Sequence, residues 1–194
     1  MMARQYDEIL RAMSRNRAAF AQRVVEVRGD KRLTGDGKRE LITEAFAAAM
    51  RKHNGLKVEL AQAREAELAA ARARAFAPRD GSPAGEVSYR EALAQAREAS
   101  SDGRKVEALL GQAVATRDFT LLRALAFIGH QSDNQALLES VAPYDGAVAN
   151  LLEIEAKLGD GQGPDVRLAR SMATTAPDRP REVSQMAVNA AMGR

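Results

Sequence analysis

Histidine, cysteine and carboxylate side chains are the usual protein ligands of transition metals, and this sequence holds few of them at a suitable spacing. It contains two histidines, His53 and His130, and no cysteine. Neither histidine has a second one at ligand spacing, whereas zinc sites combine several such ligands. The lack of cysteine excludes disulfides, thiol nucleophiles and thiolate metal ligands. We therefore expect no metal site and no cofactor, and we expect His53 to be a polar residue in a helix-packing seam.

Segments that are similar to phosphate or calcium loops are incomplete. Gly37 and Lys38 are followed by Arg39 rather than by Ser or Thr, and Arg32 stands where a phosphate loop has its first glycine. Residues 159–165 lack the alternating acidic ligands and closing glutamate of a calcium loop. No serine is flanked as in a nucleophile elbow. We expect no catalytic residues and a protein that is not an enzyme.

Basic residues cluster around one predicted turn between two helices. They form what we call the basic hairpin tip: Arg28, Lys31, Arg32, Lys38 and Arg39. Such a cluster can contact phosphates, so a nucleic-acid-associated assembly or regulatory factor is the alternative function. Acidic residues are interleaved with the tip, and no aromatic platform accompanies it. A solvated hairpin tip is therefore the favoured interpretation.

The net charge of +3 conceals two oppositely charged parts of the chain. Residues 1–77 hold 16 Lys and Arg against 10 Asp and Glu, whereas residues 78–158 hold 8 against 12. Complementary fields steer association, so such a chain can fold back on itself or associate head to tail. The charged N-terminal sequence is unlike a signal peptide, and no stretch approaches the roughly 20 apolar residues of a membrane span. We expect no membrane partner.

Apolar residues at alternating spacings of three and four predict two long helices, over residues 3–28 and 36–76. The short turn between them makes the helices antiparallel neighbours, with Arg17 and His53 as polar exceptions in the seam. Because the second helix is longer, its end is expected to pack on another helix, from this chain or another one. The residues predicted at the protein interface are Leu10, Met13, Phe20, Val24, Ile42, Phe46, Leu56 and Leu60.

The rest of the chain predicts short helices, which makes the fold class all-α: a coiled-coil-like antiparallel hairpin followed by a small bundle. Residues 78–85, with two prolines and two glycines, are the expected linker between a hairpin at 1–77 and a short-helix bundle at 86–158. Ser88, Asp102, Asp118 and Ser132 are predicted helix caps. Residues 159–194 are expected to be a flexible tail with one possible short C-terminal helix, since such a helix is too short to be stable alone.

The arrangement resembles small helical head- or assembly-associated proteins of tailed bacteriophages and prophages of GC-rich, actinobacterial hosts. The resemblance is carried by residues 7–56, with the turn Leu33-Thr34-Gly35-Asp36-Gly37, and by residues 109–155. It implies a non-enzymatic structural protein of virion assembly, scaffold-like or a minor head protein. Its implied partners are protein subunits, through self-association or through a capsid or other virion protein. Its implied location is the host cytoplasm during assembly, and then the virion.

Overall fold

Helices account for all the regular structure in residues 2–159 and 164–191, which are the part of the chain that the computed structural model describes. These residues contain no strand, so the all-α prediction is confirmed. None of the described helices is long and apolar enough to cross a membrane. The helices are α1 (Met2–Gly29), α2 (Gly35–Phe76), α3 (Pro83–Ala99), α4 (Gly103–Thr116), α5 (Phe119–Gln131), α6 (Gln135–Val141), α7 (Gly146–Leu158), α8 (Pro164–Ala173) and α9 (Gln185–Ala191).

The chain divides into two units, which are described separately below. Unit 1 comprises Met1–Glu65 and Gly163–Arg194, and unit 2 comprises Ala66–Gln162. The division falls within α2, whereas the sequence placed a linker at 78–85. Part of that predicted linker is helical, because α3 begins at Pro83.

In unit 1, α1 and α2 form the predicted antiparallel pair. The oxygen of the Thr34 side chain accepts a hydrogen bond from the Gly37 N–H at 3.1 Å, which caps the start of α2. Phe20 packs on Phe46 with ring centroids 5.6 Å apart. No break occurs at residues 54–55, since α2 continues through them.

The C-terminal part of unit 1 contains the expected short C-terminal helix, α9, and a second helix, α8, that was not predicted. Its described residues form α8, an irregular segment with a turn, and α9. Val183 and Val188 are buried against apolar residues of α1 and α2, among them Phe20 and Phe46. A short amphipathic helix that is unstable alone gains stability from such packing. Residues 160–163 and 192–194 of the predicted tail lie outside the described residues.

In unit 2, the end of α2 packs with the short helices α3 to α7. Ala71 and Ala75 of α2 are buried in the same apolar cluster as residues of all five short helices. The end of the long helix therefore meets helices of its own chain. The small alanine side chains allow close helix approach, and the bulk of the core comes from larger residues: Leu121, Leu122, Leu125, Leu138, Val141, Val148 and Leu151.

Helix caps were predicted correctly at two positions and incorrectly at two others. Asp102 and Asp118 cap α4 and α5 as expected. The predicted cap Ser88 lies inside α3, because Ser82 caps that helix and Pro83 occupies its first turn. Ser132 ends α5 instead of starting α6, whose cap is Asn134.

Candidate functional site

The residues that we predicted at a protein interface lie mostly between α1 and α2. Met13, Phe20, Val24, Ile42, Phe46 and Leu60 are buried there. Leu10 and Leu56 are only half-buried. The buried position next to Leu10 is taken by Ile9. These side chains are thus used mainly within the chain, although Phe20 and Val24 also line a groove that is described below.

Polar residues interrupt the seam at Asn16 and His53. The Asn16 side-chain amide donates a hydrogen bond of 2.9 Å to the Ala49 carbonyl, and both groups are buried. Asn16, and not the predicted Arg17, is therefore the polar residue of α1 in the seam. The Arg17 guanidinium instead donates to the Met172 carbonyl at 3.1 Å.

His53 is buried as predicted, with 3% of its surface exposed. Its Nδ1 atom has no hydrogen-bond partner among the described residues. Burial, assisted by the positive charge of Lys57, lowers the pKa of His53 below its ordinary value. The neutral imidazole is therefore the form that the folded chain favours.

The basic hairpin tip is largely neutralised by neighbouring acids. Arg32 pairs with Asp30, and Arg39 pairs with Asp36 at 3.2 Å. The Lys38 ammonium donates to the backbone carbonyl of Arg28 at 2.8 Å. Lys31 makes no hydrogen bond or ion pair with any described residue, and its side chain is exposed.

The fifth tip residue, Arg28, anchors the C-terminal segment of unit 1. Its guanidinium donates two hydrogen bonds to the Glu182 carboxylate, at 2.9 and 2.8 Å. This contact lowers the pKa of Glu182 and raises that of Arg28. The neighbouring Val183 is buried, so an ion pair and an apolar contact hold the same segment. Sequence reasoning missed this contact because it joins residues 154 positions apart.

A groove of about 340 Å³ lies along α1 beside the C-terminal segment of unit 1, and we call it the unit-1 groove. Its apolar lining includes Val25, which is 63% exposed. Three guanidinium groups stand around it, against one carboxylate. The lining residues are Arg17, Phe20, Ala21, Val24, Val25, Arg28, Asp178, Arg179 and Pro180.

A larger groove, of about 600 Å³, lies in unit 2, and we call it the unit-2 groove. The Arg72 guanidinium donates two hydrogen bonds to Oε1 of Glu155, at 3.2 and 3.1 Å. His130 Nδ1 lies 4.0 Å from the same oxygen, and its ring is 5.1 Å from that of Phe76. Asp133 lines the groove in a left-handed backbone conformation, with φ 52°. Glu155 and Phe76, the partners of His130, come from distant helices and are not evident from the sequence.

A buried ion pair stabilises unit 2 close to the start of α7. Asp145 accepts a hydrogen bond of 2.8 Å from Arg123, and it also caps α7 through the N–H of Ala147. Burial raises the pKa of Asp145, but the hydrogen bonds from Arg123 and Ala147 outweigh burial and bring that pKa below its ordinary value. Arg123 also donates to the Ala77 carbonyl, so this pair fixes three parts of the unit.

The described residues contain no group of three or more His, Cys, Asp or Glu side chains that could hold a metal ion. Comparisons of the chain with protein-family models, with curated proteins and with solved structures find no match. The features that characterise the described residues are thus the all-α fold and, among their grooves, the unit-1 groove and the unit-2 groove.

Proposed function

We propose that this chain is a non-enzymatic interaction protein of tailed-phage virion assembly. In this proposal it acts as a scaffold-like or minor head protein, in the host cytoplasm and in the virion. Its resemblance to head- and assembly-associated phage proteins supports that setting. The two-unit helical fold supports a binding role, because it offers grooves on rigid helices.

The unit-1 groove is the observation that carries this proposal. An exposed valine, Val25, lines it, and Arg17, Arg28 and Arg179 line it as well. Apolar side chains with a basic rim suit an amphipathic helix that carries acidic residues, since helices dock through an apolar face and charges select the partner. We therefore propose an acidic amphipathic helix of a capsid or other virion protein as its occupant.

The unit-2 groove supports binding rather than catalysis. Its lining side chains are Arg72, His130, Asp133, Gln135, Leu138, Leu152, Glu155 and Ala156, together with Gly159. This set includes no hydroxyl or thiol, and Oε1 of its Glu155 carboxylate is already paired with Arg72. Its carboxylate and guanidinium groups are instead suited to recognising charged side chains.

Light scattering of the purified protein, alone and mixed with the virion proteins encoded by neighbouring genes, tests this proposal. We expect a defined complex with at least one of them. Val25→Asp should weaken that complex at least about tenfold, because it places a negative charge in the groove lining beside the acidic partner. Val87→Asp is the matched control, since Val87 is a 52% exposed valine of unit 2. If the purified protein forms a complex with none of the virion proteins, the proposal is contradicted.

A further inference from the structure

The two units carry opposite formal charges. Unit 1 contains 19 Lys and Arg against 12 Asp and Glu, which gives +7. Unit 2 contains 10 against 14, which gives −4. Opposite fields on two surfaces of one chain attract the surfaces of different copies, and they raise the rate of encounter. Each copy thus carries both halves of a complementary pair.

The unit-2 groove has acceptors that are free to receive a cation. Arg72 and His130 both approach Oε1 of Glu155, whereas Oε2 accepts no hydrogen bond from the described residues. The Asp133 carboxylate on the same groove also has no described partner. The last turns of α5 and α7 contribute to the lining, and helix C-termini favour positive charge. A volume of about 600 Å³ falls within the range of ligand-binding pockets.

The basic hairpin tip of unit 1 presents the matching donors. The Arg32 side chain is 90% exposed, although it contacts Asp30. Lys31 is exposed and makes no ion pair within the described residues. Both stand in the short turn between α1 and α2, where neighbouring side chains leave them accessible.

We propose that the unit-2 groove of one copy binds Lys31 and Arg32 of a second copy, so that the chain assembles head to tail. In this arrangement Oε2 of Glu155 and the carboxylate of Asp133 accept hydrogen bonds from the incoming cations. The interface is heterologous, and it generates a ring or a filament according to its rotation. The inference rests on the proposed function in one respect, namely that the chain works by binding protein subunits.

Sedimentation velocity of the full chain gives the first test. At about 0.05 M salt the average mass should rise with protein concentration above the monomer mass of 20.9 kDa. At about 0.5 M salt it should return toward the monomer, because screening weakens exposed charge pairs. Lys31→Glu with Arg32→Glu should weaken association at least about tenfold. The control is Arg11→Glu with Arg15→Glu, which makes the same charge change at exposed positions of α1.

A mixing experiment separates tip-to-groove association from a symmetric contact between two tips or between two grooves. The groove variant is Asp133→Asn with Glu155→Gln, which keeps side-chain size and leaves the tip intact. Alone, the tip variant and the groove variant should both be monomers. Mixed, they should form a one-to-one complex of about 42 kDa, twice the monomer mass, because one intact groove and one intact tip remain. Glu98→Gln with Glu107→Gln controls for the loss of two exposed carboxylates elsewhere in unit 2.

Three results would overturn this inference. They are a wild-type chain that stays monomeric at every concentration and salt, a tip variant that associates like wild type, and a mixture of the two variants that remains monomeric. Circular dichroism of each variant must show the wild-type helix content, so that misfolding is not read as lost binding. A monomeric chain that still binds a virion protein would overturn head-to-tail assembly and leave the proposed function standing.

Discussion

Replacing Phe20 with alanine tests the packing on which unit 1 depends. The Phe20 side chain is 7% exposed and packs on Phe46 and on the valines of the C-terminal segment. Truncating a buried phenylalanine costs about 3–5 kcal/mol, from lost transfer energy and from the cavity that remains. We therefore expect Phe20→Ala to lower the free energy of unfolding of unit 1 by that amount. Val25→Ala, at an exposed position of the same helix, should change it by less than about 0.5 kcal/mol.

Urea denaturation followed by circular dichroism measures these changes, and hydrogen exchange assigns the transition to unit 1. A double-mutant cycle with Phe46→Ala then isolates the contact between the rings. Their centroids are 5.6 Å apart and their planes are tilted by 53°, a geometry that contributes about 0.5–1.5 kcal/mol beyond area burial. A loss below about 1 kcal/mol in Phe20→Ala, or a coupling of zero, would refute the assigned packing.

Three further changes test other contacts. Asp145→Asn leaves the Arg123 guanidinium without its ion-pair partner and should lower the free energy of unfolding by about 3 kcal/mol, measured by urea denaturation at pH 7. Because the pKa of Asp145 is lowered in the folded chain, the difference from wild type should persist above the ordinary pKa of 3.8. The difference should shrink as the pH falls through the lowered pKa. The wild type should lose stability as the pH falls below about 6.5, because His53 takes up a proton in the unfolded chain at a higher pH than in the folded one. His53→Leu should make this loss smaller. An unchanged dependence of stability on pH would contradict a buried neutral imidazole. Val188→Asp should speed limited proteolysis of the C-terminal segment, whereas Met186→Asp, at an 83% exposed position, should not.

Hydrophobic periodicity was sufficient to predict α1 and α2, and it was ambiguous about one face of α1. Counting back from Met13 by four or by three residues reaches Ile9 or Leu10, and both are apolar. The same ambiguity affects the polar position of the seam, which is either Asn16 or Arg17. Asn16 is short and hydrogen-bonds the Ala49 carbonyl within the seam, whereas the long Arg17 side chain reaches the Met172 carbonyl instead.

The C-terminal segment could not be placed from local sequence, because its order depends on tertiary contacts. Its short helices lack the length to be stable alone. What holds the segment is the Arg28–Glu182 ion pair and the burial of Val183 and Val188 against α1 and α2. Within the segment, Val183 and Val188 are buried whereas Met186 is 83% exposed.

The unit-2 groove was also beyond sequence reasoning, for a related reason. Arg72 and Glu155 are 83 positions apart, and each alone looks like an ordinary charged residue on a helix surface. Only the folding of unit 2 brings their side chains to 3.1 Å. Helix-surface charges of this kind are the default in any globular protein, so nothing in the pattern distinguishes those that converge.

Arg28 belongs to the basic hairpin tip and also holds the C-terminal segment of unit 1, so nucleic-acid binding by the tip should affect that segment. Its guanidinium already donates two hydrogen bonds to Glu182, so it cannot bind a phosphate in the same geometry without releasing that carboxylate. Nucleic-acid binding through the whole basic hairpin tip therefore predicts that added DNA or RNA loosens the segment and speeds its proteolysis at low salt. Protein binding through the unit-1 groove predicts the opposite, since a docked helix would cover Arg179 and Pro180 of the same segment. Salt-sensitive nucleic-acid binding together with faster cleavage would favour the alternative function over the proposed one.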